Sequence, residues 1–101
     1  MKNEGDVKKI VKNVLNDSEY CWWFMPAANG FGRSGIPDFI GCVNGSMFAV
    51  ETKFGKGTTT AHQEREIAAL IRSGAKVWIV RETSVDVWEI EFKAWVALTC
   101  L

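Results

Sequence analysis

Asp38, Glu51 and Lys53 are the residues whose types and spacing could do chemistry together. Asn44-Gly45 lies between two β-favouring runs, and that dipeptide is the strongest short hairpin signal in a sequence. A two-residue turn there closes Val43 on Ser46. Pairing then runs outward through Cys42 with Met47, Gly41 with Phe48, Ile40 with Ala49 and Phe39 with Val50, and the next pair sets Asp38 opposite Glu51. Cross-strand neighbours share a face, with Cβ atoms roughly 5 Å apart, and alternation along the strand brings Lys53 to the face of Glu51. Two carboxylates so placed repel. A divalent cation between them reverses that sign, since Mg²⁺ takes one or two carboxylates plus a substrate phosphate. A neighbouring ammonium then stabilises developing negative charge. Two acids and a lysine on one face therefore suit metal-assisted phosphodiester hydrolysis. The competing reading is a solvated charge cluster in which Lys53 neutralises the acids by ordinary pairing.

The elements that must position these groups follow from periodicity. Val7, Ile10, Val11, Val14 and Leu15 mark one face of a helix from about Asn3 to Asp17, with Asn3 as its cap. Tyr20 to Met25 is an aromatic, β-favouring run that Pro26 ends. The glycine-rich stretch from Asn29 to Pro37 reads as a loop able to approach a ligand closely. Asp38–Val43 and Ser46–Phe54 are the hairpin strands, and a second loop runs from Gly55 to Thr59. Thr60 to Ser73 reads as a helix with Ile67, Leu70 and Ile71 inward. Thr60 and Gln63 fit a capping box, and Gly74 suits the C-terminal end. Lys76 to Arg81 has the look of a central, buried strand. In the tail, Val85 to Ile90 reads as a further strand before a short helix, although Trp88, Phe92, Trp95 and Val96 also fit a helical face. Helices flanking a mixed sheet give an α/β sandwich.

At 101 residues one domain is expected, residues 1–101, with a core small enough that self-association is a common supplement. Twelve basic and twelve acidic residues give a formal net charge of +0, so any DNA-facing surface must be a local patch. Lys8, Lys9 and Lys12 cluster on the first helix, and Arg33, Lys53, Lys56 and Arg65 flank the central motifs. Cys21, Cys42 and Cys100 are odd in number and form no C-x-x-C, which argues against a disulfide framework and a zinc site. Buried free thiols in a reducing cytoplasm fit better. The polar N-terminal residues show no signal peptide, and no apolar run reaches a membrane span.

Two polar residues fall among apolar ones. Glu4 shares the helical arc of Val7, Val11 and Leu15, and Gln63 that of Ile67 and Leu70. Both would converge on the strand site if inward. Otherwise Glu4 is a favourable acid at a helix N-terminus and Gln63 simply completes the capping box. Gly55-Lys56-Gly57-Thr58 lacks the form of a phosphate loop, and His62 suits a surface position. Trp22-Trp23 would stack on unpaired bases or, more in keeping with the area tryptophan buries, pack in a core or dimer. Trp95, Val96, Leu98 and Leu101 form an apolar end suited to a dimer patch.

Pro37-Asp38, twelve intervening residues and Glu51-Thr52-Lys53 resemble the PD-(D/E)XK nuclease signature. With Gly32-Arg33-Ser34-Gly35-Ile36-Pro37-Asp38-Phe39 before it and Thr60-x-x-Gln63 after it, the pattern looks like the VRR-NUC (virus-type replication–repair nuclease) branch. The likeness runs from Glu4 to about Arg81 and draws strength from the agreeing hairpin register. It implies a restriction-endonuclease-like α/β core, a mixed central β-sheet flanked by α-helices. It implies Asp38, Glu51, the backbone carbonyl of Thr52 and Glu4 as metal ligands, Lys53 as catalytic lysine, and Gln63 as a supporting site residue. Arg33, Ser34, Gly35 and Lys56 would contact DNA. The expected activity is Mg²⁺-dependent cleavage of DNA, with Mn²⁺ as substitute, selective for Holliday-junction or branched structures. Short members of this kind resemble phage or bacterial proteins that act as dimers. A homodimer in the cytoplasm of a bacterial or phage-infected cell, with no membrane partner, is therefore expected. A non-catalytic DNA-structure-binding module and a ribonuclease are the alternatives.

Overall fold

The computed structural model describes residues 1–27 and 33–100. The glycine-rich loop therefore lies partly outside the described residues, at 29–32, as does Leu101. Helix α1 spans Glu4–Asp17, and the Asn3 side chain caps it by accepting from the Asp6 N–H. Strand β1 (Cys21–Phe24) follows, then β2 (Phe39–Val43) and β3 (Ser46–Thr52). Helix α2 (Ala61–Arg72), strand β4 (Lys76–Val80) and helix α3 (Val85–Thr99) complete the order.

The β2–β3 hairpin adopts the expected register, from Val43 with Ser46 to Phe39 with Val50. Its turn residues Asn44 and Gly45 have φ of 51° and 84°, the paired positive values a type I′ turn requires. The sheet order is β1-β2-β3-β4, with β1, β2 and β3 antiparallel and β4 parallel to β3. A parallel neighbour needs a crossover, which α2 supplies.

Alternation sorts the side chains. Phe39, Val43, Phe48, Val50, Trp78 and Val80 meet Val7, Val11, Val14, Leu15, Val85, Trp88 and Phe92 in one core beneath α1 and α3. Helix α2 lies on the other face and packs chiefly against β4. It buries no residue fully; Ile71, expected inward, is 56% exposed because it sits beyond the stripe of Gln63, Ile67 and Leu70.

Three further expectations are corrected. The segment from Val85 is one continuous helix, not a strand and a short helix. Its β-branched residues favour a strand locally, but burial of Val85, Trp88 and Phe92 at helical spacing prevails. Strand β4 is an edge of the sheet, not central, and Ile79 is correspondingly exposed. The thiols are less buried than expected: Cys21 and Cys42 are half-buried, and Cys100 is exposed beside Asn44. Burial pushes the Cys21 thiol up to about 11. No described helix is long and apolar enough to cross a membrane.

Candidate active site

The hairpin delivers Glu51 and Lys53 to the α2 face of the sheet. Both are buried, at 3% and 9% exposure. The Lys53 N–H donates to the Val80 carbonyl at 2.9 Å, so the backbone remains anchored to β4 past the end of β3. The Lys53 ammonium lies 3.2 Å from Glu51 Oε2 and donates to Gln63 Oε1 at 2.9 Å. Gln63 Nε2 in turn donates to Glu51 Oε2 at 2.9 Å. These three side chains close a ring of hydrogen bonds.

The Gln63 side chain both points inward to Glu51 and Lys53 and completes the helix cap. Its Oε1 also accepts from the Thr60 N–H while its own N–H donates to Thr60 Oγ1, which completes the capping box of α2. The cap fixes the amide, and the fixed amide holds Lys53.

Asp38 departs from the simple cross-strand pair. The β2–β3 ladder ends at Phe39 with Val50, and Asp38 sits in a bend one residue outside it, after the fully buried Pro37. Its N–H donates to Glu51 Oε1 at 3.2 Å. Its carboxylate turns to Thr52, where Oδ2 accepts from the N–H at 2.9 Å and the hydroxyl at 2.6 Å. Thr52 thus orients Asp38 with its hydroxyl and amide, a role that reading it only as a carbonyl donor misses. A Thr one residue after the Glu is the only sequence signal for it.

Lys8 is the other residue whose place differs from the sequence reading. Spacing groups it with Lys9 and Lys12, which are exposed on α1. Its ammonium instead lies 3.7 Å from Asp38 Oδ1 and 3.2 Å from Glu4 Oε2. Glu4 is thereby linked to Asp38 through Lys8. Among the described residues, no three His, Cys, Asp or Glu side chains converge as a ready metal cage.

The electrostatics favour added positive charge. Burial raises the Glu51 pKa, the nearby Asp38 charge raises it further, and the hydrogen bond and charge of Lys53 oppose both. Burial works to lower the Lys8 pKa, but Asp38, Glu4 and Glu51 outweigh it and leave it raised. Hard carboxylate oxygens are the donors that Mg²⁺ or Mn²⁺ prefers, so Asp38 and Glu51 fit such an ion in chemistry.

The residues from Arg33 onward dock on α2. The Arg33 guanidinium pairs with both Glu66 oxygens, at 2.8 and 2.9 Å, while remaining 74% exposed. Ser34 Oγ and the Arg65 guanidinium both meet His62 Nδ1, at 3.3 and 2.8 Å. Gly35 has φ +82°, and a Cβ there would lie 2.5 Å from the His62 carbonyl oxygen. Only glycine allows this approach. Lys56 is exposed, between β3 and α2. Trp22 and Trp23 divide: Trp23 packs on Phe39 and donates to Asn16, whereas Trp22 is 65% exposed and leans on Phe24. Leu98 is exposed, while Trp95 and Val96 are half-buried against the protein's own core.

No protein-family model and no curated protein matches the chain. A solved VRR_NUC domain does match, with 29% identity and a TM-score of 0.67, over 82% of this chain and 89% of that one. That likeness carries the restriction-endonuclease-like fold. In fold, and at 29% identity over more than four-fifths of both chains, this protein is similar to that VRR_NUC domain, which supports the resemblance read from Asp38, Glu51 and Lys53.

Proposed function

We propose that this protein is a metal-dependent endonuclease that hydrolyses phosphodiester bonds in DNA, selective for Holliday-junction or branched structures and acting as a homodimer. The observation that carries the reading is the Lys53 ammonium, buried and fixed between Glu51 and Gln63, one bend away from Asp38. A merely structural ion pair has no need of the second carboxylate beside it. Asp38, Glu51 and the Thr52 carbonyl would hold Mg²⁺, with Mn²⁺ as substitute and Glu4 as a further donor. The ion would supply Lewis-acid polarisation of the phosphate and a more acidic bound water.

The chain's own residues then have separate tasks. Thr52 fixes the Asp38 carboxylate. Gln63 holds the Lys53 ammonium toward the reacting phosphate, where it stabilises the charge that develops. Arg33, Ser34, Gly35 and Lys56 form the rim that meets the DNA backbone, with Arg33 shared between Glu66 and phosphate. Two copies related by a two-fold axis would present two such sites to two strands.

The test is cleavage of linear, nicked, flapped and four-way-junction DNA, with Mg²⁺ or EDTA, by wild type and Asp38→Ala. Mg²⁺-dependent cutting of branched DNA, lost in the variant, is the expected result. Folded wild type that binds these DNAs at saturating Mg²⁺ without cutting would establish a DNA-structure-binding module instead. Cutting confined to RNA would establish a ribonuclease.

A further inference from the structure

Asp38 offers one oxygen to an incoming cation. Oδ2 is engaged twice by Thr52, through its N–H and its hydroxyl. Oδ1 has Lys8 as its partner among the described residues, at 3.7 Å. The same ammonium holds Glu4 at 3.2 Å. Lys8 therefore spans two acids that the proposed function assigns to the metal.

We propose that Lys8 is a tethered cation that competes with the divalent ion for Asp38 and is displaced when the ion binds. The inference rests on the metal reading of the site given above. Charge supports it first. Glu4, Asp38 and Glu51 stand against Lys8 and Lys53, which leaves one uncompensated negative charge. A divalent ion overshoots that charge by one, and release of one ammonium restores balance.

Geometry selects which ammonium leaves. Lys53 is 9% exposed and hydrogen-bonded to Gln63. The Lys8 side chain is 29% exposed and its contact with Asp38 is long. It lies on α1 at i+4 from Glu4, with a flexible stem that reaches solvent. Lys8 thus keeps the acids from repelling one another before the ion arrives. It also raises the metal concentration at which the site fills.

The experiment is calorimetric titration of Mn²⁺ into the metal-free protein without DNA, for wild type, Lys8→Met, Lys8→Gln and Lys8→Arg. Loss of the charge in Lys8→Met and Lys8→Gln should tighten Mn²⁺ binding about fivefold, the scale of one partly exposed ion pair. Lys8→Arg, which keeps a cation there, should show no such gain. Asp38→Asn should weaken binding, and adding Lys8→Met to it should bring none of the gain that Lys8→Met brings alone. Equal or weaker Mn²⁺ affinity in both neutral variants overturns the proposal while leaving the metal site standing. Failure of wild type and both neutral variants alike to bind Mn²⁺ overturns the metal reading, and this proposal with it.

Discussion

The two faces of the sheet solve opposite problems. The face under α1 and α3 is sealed: Phe39, Phe48, Val50, Val80 and Phe92 are fully buried, and Phe92 stacks edge-on against Phe48 and Trp78. Stability there comes from apolar area removed from water. The face under α2 is half open. It buries Glu51 and Lys53 while leaving Trp22, Phe24, Met47 and Ile79 exposed. The first face holds few polar groups: the Thr52 hydroxyl, which donates to Asp38, and the indole N–H groups of Trp78 and Trp88, which have no partner among the described residues. The second buries an ion pair, Glu51 with Lys53, whose polar atoms must be satisfied by hydrogen bonds to Gln63. The fold keeps the two demands apart by strand alternation alone, since Val50 and Glu51 are neighbours in sequence and face opposite ways.

Truncation on the sealed face should have the largest effect. Phe92→Ala should cost about 3–5 kcal/mol in denaturant unfolding. A cost under about 1 kcal/mol would show that α3 is not integral to the core. On the open face, Lys53→Ala should slow DNA cleavage about 10²–10³-fold, with Mg²⁺-dependent thermal stabilisation largely retained. Loss of both together would make Lys53 structural and erase the contrast.

Thr60→Ala sharpens the comparison at the α2 cap. It should cost about 1 kcal/mol of stability and also lower the cleavage rate, because Gln63 serves both cap and Lys53. A stability loss with unchanged turnover would separate the two roles.

The smallest effect is a pH dependence. Burial, reinforced by Asp38, raises the Glu51 pKa, so folding favours its protonated form. That contribution is complete below the ordinary glutamate value of 4.5 and is lost as pH rises through the raised one. Metal-free wild type should therefore lose melting temperature relative to Glu51→Gln as pH climbs above 4.5. A gap independent of pH would show that folding does not perturb Glu51.

What could be read from residues alone was what local rules govern. Asn44-Gly45 fixed the hairpin register, and with it the shared neighbourhood of Asp38, Glu51 and Lys53. The capping box announced the start of α2. The direction of the Asp38 side chain was not legible, because it depends on the bend after Pro37 and on the Thr52 hydroxyl. Lys8 was hidden for a different reason. A Glu–Lys pair at i, i+4 on a helix reads as solvated, and only the docking of α1 against the hairpin brings it to Asp38. The tail misled because Val85, Val87 and Ile90 favour strands locally while the helical stripe answers to a distant core.

The parallel pairing of β3 with β4 has a bearing on the order in which the protein assembles. A hairpin closed by a two-residue turn forms in about 1–10 μs, and its formation alone brings the two acids near each other. Parallel pairing must wait until the chain through α2 has closed its loop, which is slower because the contacts are distant in sequence. The nascent chain therefore passes through an interval in which the acids have met but Gln63 has not yet arrived to hold the lysine. Folding therefore completes the proposed site last at its lysine, and a partly folded copy carries the two acids without the ammonium that Gln63 holds beside them.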